Sequence, residues 1–355
     1  MSAPVRVIVV CGVGGAGKTT TAAGLALAWA RAGRRVVVLT IDPARRLADA
    51  LGVEQLGNTP TPVPAPGLPS TASLDALMLD RKATWDELVR RQVTDPDRAA
   101  RLLVNPYYRA LSERLSGGHE YMATEKLHHL ALSGRWDVVV VDTPPSQHAL
   151  DFFRAPDRIR RILDQRLLGS ILRPSTGIAG LATRPVVDLV RRLAGDAVID
   201  DLSEFFSLVG DAAAGLSERG AAVSKLLRSP SCGFVLTTSA RAPQEAEISV
   251  FLPAIRELGL RAEGILVNRA TLPLPVPTSR LEAALPADAP ARADLLALVH
   301  AHDARAAHDQ ALVERLARAW TIPVWRVPDL PGGVGDLAAL AALADHLPPG
   351  AEPRA

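Results

Sequence analysis

Cysteine occurs at two positions of the chain, Cys11 and Cys232, and nowhere in C-x-x-C spacing. A cysteine-only metal site within the chain is thereby excluded, and each thiol is expected to be buried in a strand-like apolar run. Lysine is nearly as scarce, standing at positions 18, 82, 126 and 225, with arginine carrying the remaining positive charge. The formal net charge is +2, so there is no general nucleic-acid footprint. Methionine is confined to Met1, Met78 and Met122. No apolar run approaches the ~20 residues that span a bilayer, and the short N-terminal run leads directly into a glycine-rich loop rather than a cleavage site. A cytoplasmic location is the expectation. His128–His129 and His300-Ala301-His302 lack ligand spacing for a helix, so no zinc site is predicted and these side chains are expected on solvated faces. Disorder is also excluded as a description of the whole, because 48% of residues are hydrophobic and 22% charged.

What is present is concentrated near the start. Gly12-Val13-Gly14-Gly15-Ala16-Gly17-Lys18-Thr19-Thr20 fits G-x-x-x-x-G-K-[ST] in full. The run Val5–Cys11 before it reads as a buried strand, and Thr20–Trp29 after it as an Ala/Leu-rich helix. Glycines let successive N–H groups turn toward one anion, and the helix start adds partial positive charge. Gly12, Gly14, Gly15, Ala16, Gly17, Lys18, Thr19 and Thr20 therefore form a candidate triphosphate cradle, with Lys18 on the outer phosphates and the Thr19 hydroxyl on Mg²⁺.

Strand-like runs recur at Arg35–Thr40, Leu74–Leu79, Trp136–Val141, Gly233–Thr238, Glu263–Val267 and Pro323–Val327. Several are continuous rather than alternating, as in parallel strands covered on both faces. Helical patterns such as Ala83–Gln92, Glu120–Leu132 and Gln244–Glu257 lie between them. The spacing predicts an α/β, doubly wound, mostly parallel sheet with ligand chemistry at the carboxyl ends of its strands and an inserted helical subdomain. Residues 1–150 form the first part of the core, including a proline-rich surface connector at 58–69 and helices within 81–132. Residues 151–229 are the helical subdomain, 230–347 the second part of the core, and 348–355 a disordered tail. No internal repeat is visible, so one nucleotide-binding unit is expected.

Two acidic residues follow strands. Asp142 ends the valine run 138–141 and can belong to the Mg²⁺ shell, or cap a helix. Asp42 follows Arg35–Thr40 and can hold the attacking water. It can equally N-cap a helix beginning at Pro43, and the spacing alone leaves both open.

Together these segments resemble the ArsA family of arsenite-pump and tail-anchored-protein-targeting ATPases. The stretches that carry the likeness are Gly12–Thr20, Asp42-Pro43-Ala44 with Leu47 and Asp49, and Asp142–Leu150. Ser116–Glu120, Gly264–Asn268 and Val327–Pro331 add to it, and residues 158–228 carry it least. The resemblance implies a dimer closing around two ATP molecules. It implies water activation by Asp42, a magnesium shell containing Asp142 through water, Asn268 near adenine, and a base-covering loop at Pro328 and Asp329. The segment 268–271 is not N-K-x-D, which agrees with ATP over GTP.

The chain departs from that family at three points. Val13 stands where the family has a lysine that reaches the partner's phosphates, so a homodimer would need an arginine such as Arg45 or Arg46 in its place. No converging thiols exist for arsenite, and the C-x-x-C zinc clasp of the targeting members is missing. The implied activity is a Mg²⁺-dependent, ATP-hydrolysing dimeric switch that moves the 151–228 helices against a client or a membrane-protein partner, the latter of which would place it at the membrane periphery. The alternative is an ATP-binding subunit with low turnover of its own, active in a heterodimer with a lysine-bearing paralogue. A kinase or synthetase on the same fold would need an acceptor site that no motif marks.

Overall fold

The computed structural model describes residues 5–12, 14–114, 118–144, 146–164, 205, 218–241, 245–286, 291–330 and 332–347. Val13, most of the stretch 165–217, and the tail 348–355 lie outside the described residues. So do the expectations placed there, including most of the apolar pattern of the inserted helices.

The chain alternates strand and helix from the outset. β1 (Arg6–Gly12) leads into α1 (Lys18–Arg31), then β2 (Arg35–Thr40) and α2 (Arg46–Leu51). A two-residue strand, β3 (Thr61–Pro62), precedes β4 (Ser73–Met78). Four helices follow: α3 (Arg81–Gln92), α4 (Pro96–Val104), α5 (Pro106–Arg114) and α6 (Gly118–Leu132). Next come β5 (Val138–Asp142), α7 (Ser146–Asp164) and β6 (Cys232–Ser239), then α8 (Glu245–Glu257) and β7 (Ala262–Ala270). The chain closes with α9 (Thr278–Ala284), α10 (Arg292–Ala319), β8 (Val324–Pro328) and α11 (Leu337–Ala344).

The eight strands form one sheet in the order β3-β4-β2-β5-β1-β6-β7-β8, parallel throughout except for β3. That is the doubly wound α/β architecture expected from the continuous apolar runs. Their continuity has a simple cause. Val7, Val9 and Cys11 face one core with Val139 and Val141, whereas Ile8 and Val10 face the other with Val138 and Val140. Because both faces are covered, both parities must be apolar. The first core is closed by α6, α7, α8 and α10, the second by α1, α2 and α11. Helix α1 is apolar nearly all round because it lies between the sheet and α11. A Cβ added at Gly24 would stand 2.7 Å from Leu347, so glycine permits that approach.

Several local expectations change. The proline-rich connector is not merely an extended surface segment: Thr61 and Pro62 pair antiparallel with Ala76 and Asp75 at the sheet edge, where proline's missing N–H is tolerated. Helix α7 runs unbroken through residue 150, and its Phe152 and Phe153 pack in the first core. His128 is buried rather than solvated. Burial holds its imidazole below the ordinary histidine range, against the opposing pull of Glu125. Both cysteines are buried and free, as expected.

β1 occupies the place where the winding reverses: α1 carries the chain from it to one side of the sheet, and β6 flanks its other side. A crevice opens there at the carboxyl ends of the strands.

Candidate functional site

Glycines shape the β1–α1 loop for two different reasons. A Cβ at Gly12 (φ +152°) would stand 2.3 Å from both the carbonyl and the hydroxyl oxygen of Thr237, so the loop begins pressed against β6. Gly17 (φ +85°) lies in the left-handed region, and a Cβ there would meet Asn268 Nδ2 at 2.1 Å. The neighbours that crowd these glycines also bind the backbone. Thr237 Oγ1 donates to the Cys11 carbonyl at 3.0 Å, and Asn268 Nδ2 donates to the Ala16 carbonyl at 3.1 Å. By contrast, the space beside Gly14 is open. Helix α1 starts with no side-chain cap and no acid in its first turn, so its first N–H groups are left for an anion.

Lys18 is 9% exposed and sits at the base of the crevice. Burial holds its ammonium below the ordinary lysine range; Asp142, and then Cys11 and Asp42, pull the other way, while Arg46 adds to the depression. Asp142 is 1% exposed. Register places it beside Val10 on one flank and Thr40 on the other. Burial pushes its carboxyl up to about 6, even though Thr19 and Thr40 hydrogen-bond to it and Lys18 lies near. Thr40 Oγ1 donates to Asp142 Oδ2 at 2.9 Å, whereas Asp142 Oδ1 has no hydrogen-bond partner among the described residues.

That orphaned oxygen, on a carboxylate that the Thr19 hydroxyl also reaches, is a fit for a hard divalent cation. No group of three or more His, Cys, Asp or Glu side chains gathers among the described residues. A carboxylate oxygen and a hydroxyl are the donor types that suit Mg²⁺ shared with phosphates and water.

Asp42 stands at the mouth of the crevice, its side chain 27% exposed. Its N–H donates to Thr40 Oγ1 at 3.3 Å, and Ile41 N–H donates to the Asp142 carbonyl at 3.1 Å. One threonine hydroxyl thus links the two acids. The Asp42 carboxylate accepts the Ala44 N–H at 3.0 Å and lies 3.5 Å from Arg46 Nη1. Helix α2 begins at Arg46, so Asp42 does not cap a helix at Pro43 but closes the turn before α2. His119, at the start of α6, contacts the Ile41 carbonyl at 3.2 Å.

The crevice has a volume of about 470 Å³ and brings together Gly14, Lys18, Thr19, Asp42, Arg46 and Arg269, with Gly15, Gly17 and Thr20 in its walls. Ala16 and Asn268 lie buried beneath it. Asn268 Oδ1 accepts the Arg269 N–H at 2.9 Å, and Arg269 has φ +55°. A second hollow of about 380 Å³ lies beyond the ends of β7 and β8, lined by Arg241, Thr271, His302, Pro328 and Asp329. Asp329 is tied in by its N–H to the Ala270 carbonyl at 3.1 Å and by an ion pair with Arg241. Pro328 and Asp329 are therefore apart from the phosphate loop, on the side of the crevice where Arg269 stands.

Sequence reasoning missed Thr40, Thr237, Arg241 and Arg269. The signal for Thr40 was there: a hydroxyl closing an otherwise apolar strand two residues before an acid.

The family model for the anion-transporting ATPase matches residues 5–282. An uncharacterized protein, SCO2128, of Streptomyces coelicolor is 37% identical over 198 residues, covering 54% of this chain and 45% of the relative. The ATPase GET3 of Malassezia globosa is 27% identical over 189 residues, 52% of this chain and 54% of its own. The ATPase ASNA1 homolog 1 of Paramecium tetraurelia is 28% identical over 160 residues, 44% and 46% respectively. The chain matches about half the length of these curated relatives.

Proposed function

Because the chain belongs to the anion-transporting ATPase family, we propose that it hydrolyses ATP to ADP and phosphate with Mg²⁺ and acts as a dimeric switch. The observation that carries this reading is the juxtaposition of Lys18 with the buried, half-satisfied carboxylate of Asp142 at the end of β1's neighbour. An unpartnered carboxylate oxygen in a buried site is costly in the empty protein and becomes useful once a cation arrives.

In this reading the loop N–H groups and Lys18 bind the β- and γ-phosphates. Thr19 and Asp142 would hold Mg²⁺, Asp142 through water, and the ion supplies charge neutralisation and alignment of the phosphate oxygens. Asp42 accepts a proton of the attacking water and orients its lone pair toward the γ-phosphorus. Asn268 holds the loop from below, and the Asp329 segment covers the base. Thr40 joins Asp42 to Asp142, so occupation of one acid's site bears on the other's position. The segments after Asp42 and Asp142 would then order on ATP and release on hydrolysis, moving the stretch 151–228 against a client or a membrane partner.

The test is steady-state ATP hydrolysis by the purified chain with Mg²⁺, beside Asp42→Asn, while light scattering reports mass. Turnover by a dimer that is lost in Asp42→Asn is the expected result. Tight ATP binding without turnover would overturn it in favour of a partner subunit needing a lysine-bearing paralogue.

A further inference from the structure

Phosphoryl transfer needs positive charge on the γ-phosphate as its bonds loosen, and an arginine brought to that point is worth roughly 10³–10⁵ in rate. Among the described residues, three side-chain cations line the crevice: Lys18, Arg46 and Arg269. Lys18 lies at its base beside Asp142. Arg269 is on β7, across the loop from Asp42, and it is absent from the charges that act on Lys18. Arg46 is different. It begins α2, one turn beyond Asp42, and its guanidinium lies 3.5 Å from the Asp42 carboxylate. Its charge also reaches Lys18.

We propose that Arg46 is a catalytic residue that swings from Asp42 onto the γ-phosphate and supplies the transition-state charge from within the same chain. The inference rests on the ATPase reading above. Three features of the geometry support it. The side chain is 74% exposed, so moving it breaks no packing. Its contact with Asp42 is long for a charged hydrogen bond, which normally lies near 2.7–2.9 Å, so little is lost when it leaves. Its neighbour Arg45 cannot take the role without losing a bond, because Arg45 Nη2 donates to the Glu54 carbonyl at 2.6 Å, away from the crevice.

The chemistry balances without any further reagent. The water oxygen bonds to the γ-phosphorus while the bond from that phosphorus to the β–γ bridging oxygen breaks, and its electron pair stays on ADP. One water proton remains on the released phosphate and the other passes through Asp42 to solvent. Arg46 meets the charge that builds on the γ-oxygens during this exchange. Release of Asp42 by the departing guanidinium also frees that carboxylate to accept the water's proton, so one movement serves both groups. The planar fork suits two oxygens of a phosphoryl group at once, which a lysine could not match.

The experiment compares wild type, Arg46→Ala, Arg46→Lys, Arg45→Ala and Lys18→Ala. Each is measured for ATP affinity, single-turnover hydrolysis, and retention of ADP with Mg²⁺ and aluminium fluoride, a mimic of the transferring phosphoryl group. Arg46→Ala should lower the hydrolysis rate at least about a hundred-fold, with ATP affinity within about threefold of wild type. It should also lose the fluoride complex; Arg46→Lys should recover part of the rate, and Arg45→Ala should hydrolyse normally. Arg46→Ala that hydrolyses at the wild-type rate and keeps the fluoride complex overturns the proposal alone. Wild type that binds no ATP, or no better than Lys18→Ala, overturns the ATPase reading beneath it.

Discussion

The hydroxyl of Thr40 donates to Asp142 Oδ2 at 2.9 Å and accepts the Asp42 N–H at 3.3 Å, so a single side chain joins the acid that ends β5 to the acid just beyond β2. Thr40 is itself buried. Thr40→Val keeps the shape and removes the link. It should cost about 1–3 kcal/mol, because it strips Asp142 of a donor and leaves the Asp42 N–H unmet. Urea titration with and without Mg·ATP checks it; an unchanged midpoint in both would contradict the link.

Asp142 places a carboxylate where burial favours the neutral form. The uncharged Asp142→Asn should therefore be the more stable protein when metal and nucleotide are removed with EDTA, by about 1–3 kcal/mol at neutral pH. The order should reverse with Mg·ATP present, because the variant gains little from it. Melting curves under both conditions decide the matter, and a variant less stable than wild type in EDTA would refute the account.

The loop glycines should not be equivalent. Gly12→Ala drives a methyl to 2.3 Å from Thr237 and should cost about 2–4 kcal/mol or prevent folding. Gly14→Ala meets open space, so it should leave the melting temperature nearly unchanged and report its effect through nucleotide affinity. Equal losses of stability in the two variants would show that the loop is not seated on β6.

Arg241 and Asp329 pair in the second hollow, beyond the ends of β7 and β8, where both side chains remain partly exposed. Breaking the pair should cost little stability, under about 1 kcal/mol. If the Asp329 segment covers the base, Asp329→Ala should raise the KM for ATP with kcat held, and the swap Arg241→Asp with Asp329→Arg should restore much of it. Steady-state kinetics at low salt provides the readout; a loss of kcat with KM unchanged would argue against a base-side role.

Some of these features were legible because local chemistry demands a particular residue at a particular spacing. A loop that must turn N–H groups toward an anion needs glycines, and a strand buried on both faces needs an unbroken apolar run, so Gly12–Thr19 and Val138–Val141 announce themselves. His128 did not, because its surroundings come from far along the chain: Arg219 meets Glu125 across 94 positions. Of the two readings that spacing left open for Asp42, the cap of a helix beginning at Pro43 gives way, because the carboxylate takes the Ala44 N–H in a turn that delays α2 to Arg46. Thr61–Pro62 is too short for any period to show. Asn268 was expected on the adenine side; its amide contact with the Ala16 carbonyl is packing that no spacing rule contains.

The same packing sets an order of events during synthesis. Gly12 rests on Thr237, and the Ala16 carbonyl is held by Asn268, yet more than two hundred residues separate each from its support. At a ribosomal rate of 5–20 residues per second, the loop emerges on the order of ten to fifty seconds before the strands that brace it. Until β6 and β7 have left the tunnel, β1 has only β5 beside it and the loop has no support on its other side. A nascent chain of this kind cannot hold a triphosphate early. Its competence arrives late and all at once, when the far half of the sheet closes on the near half.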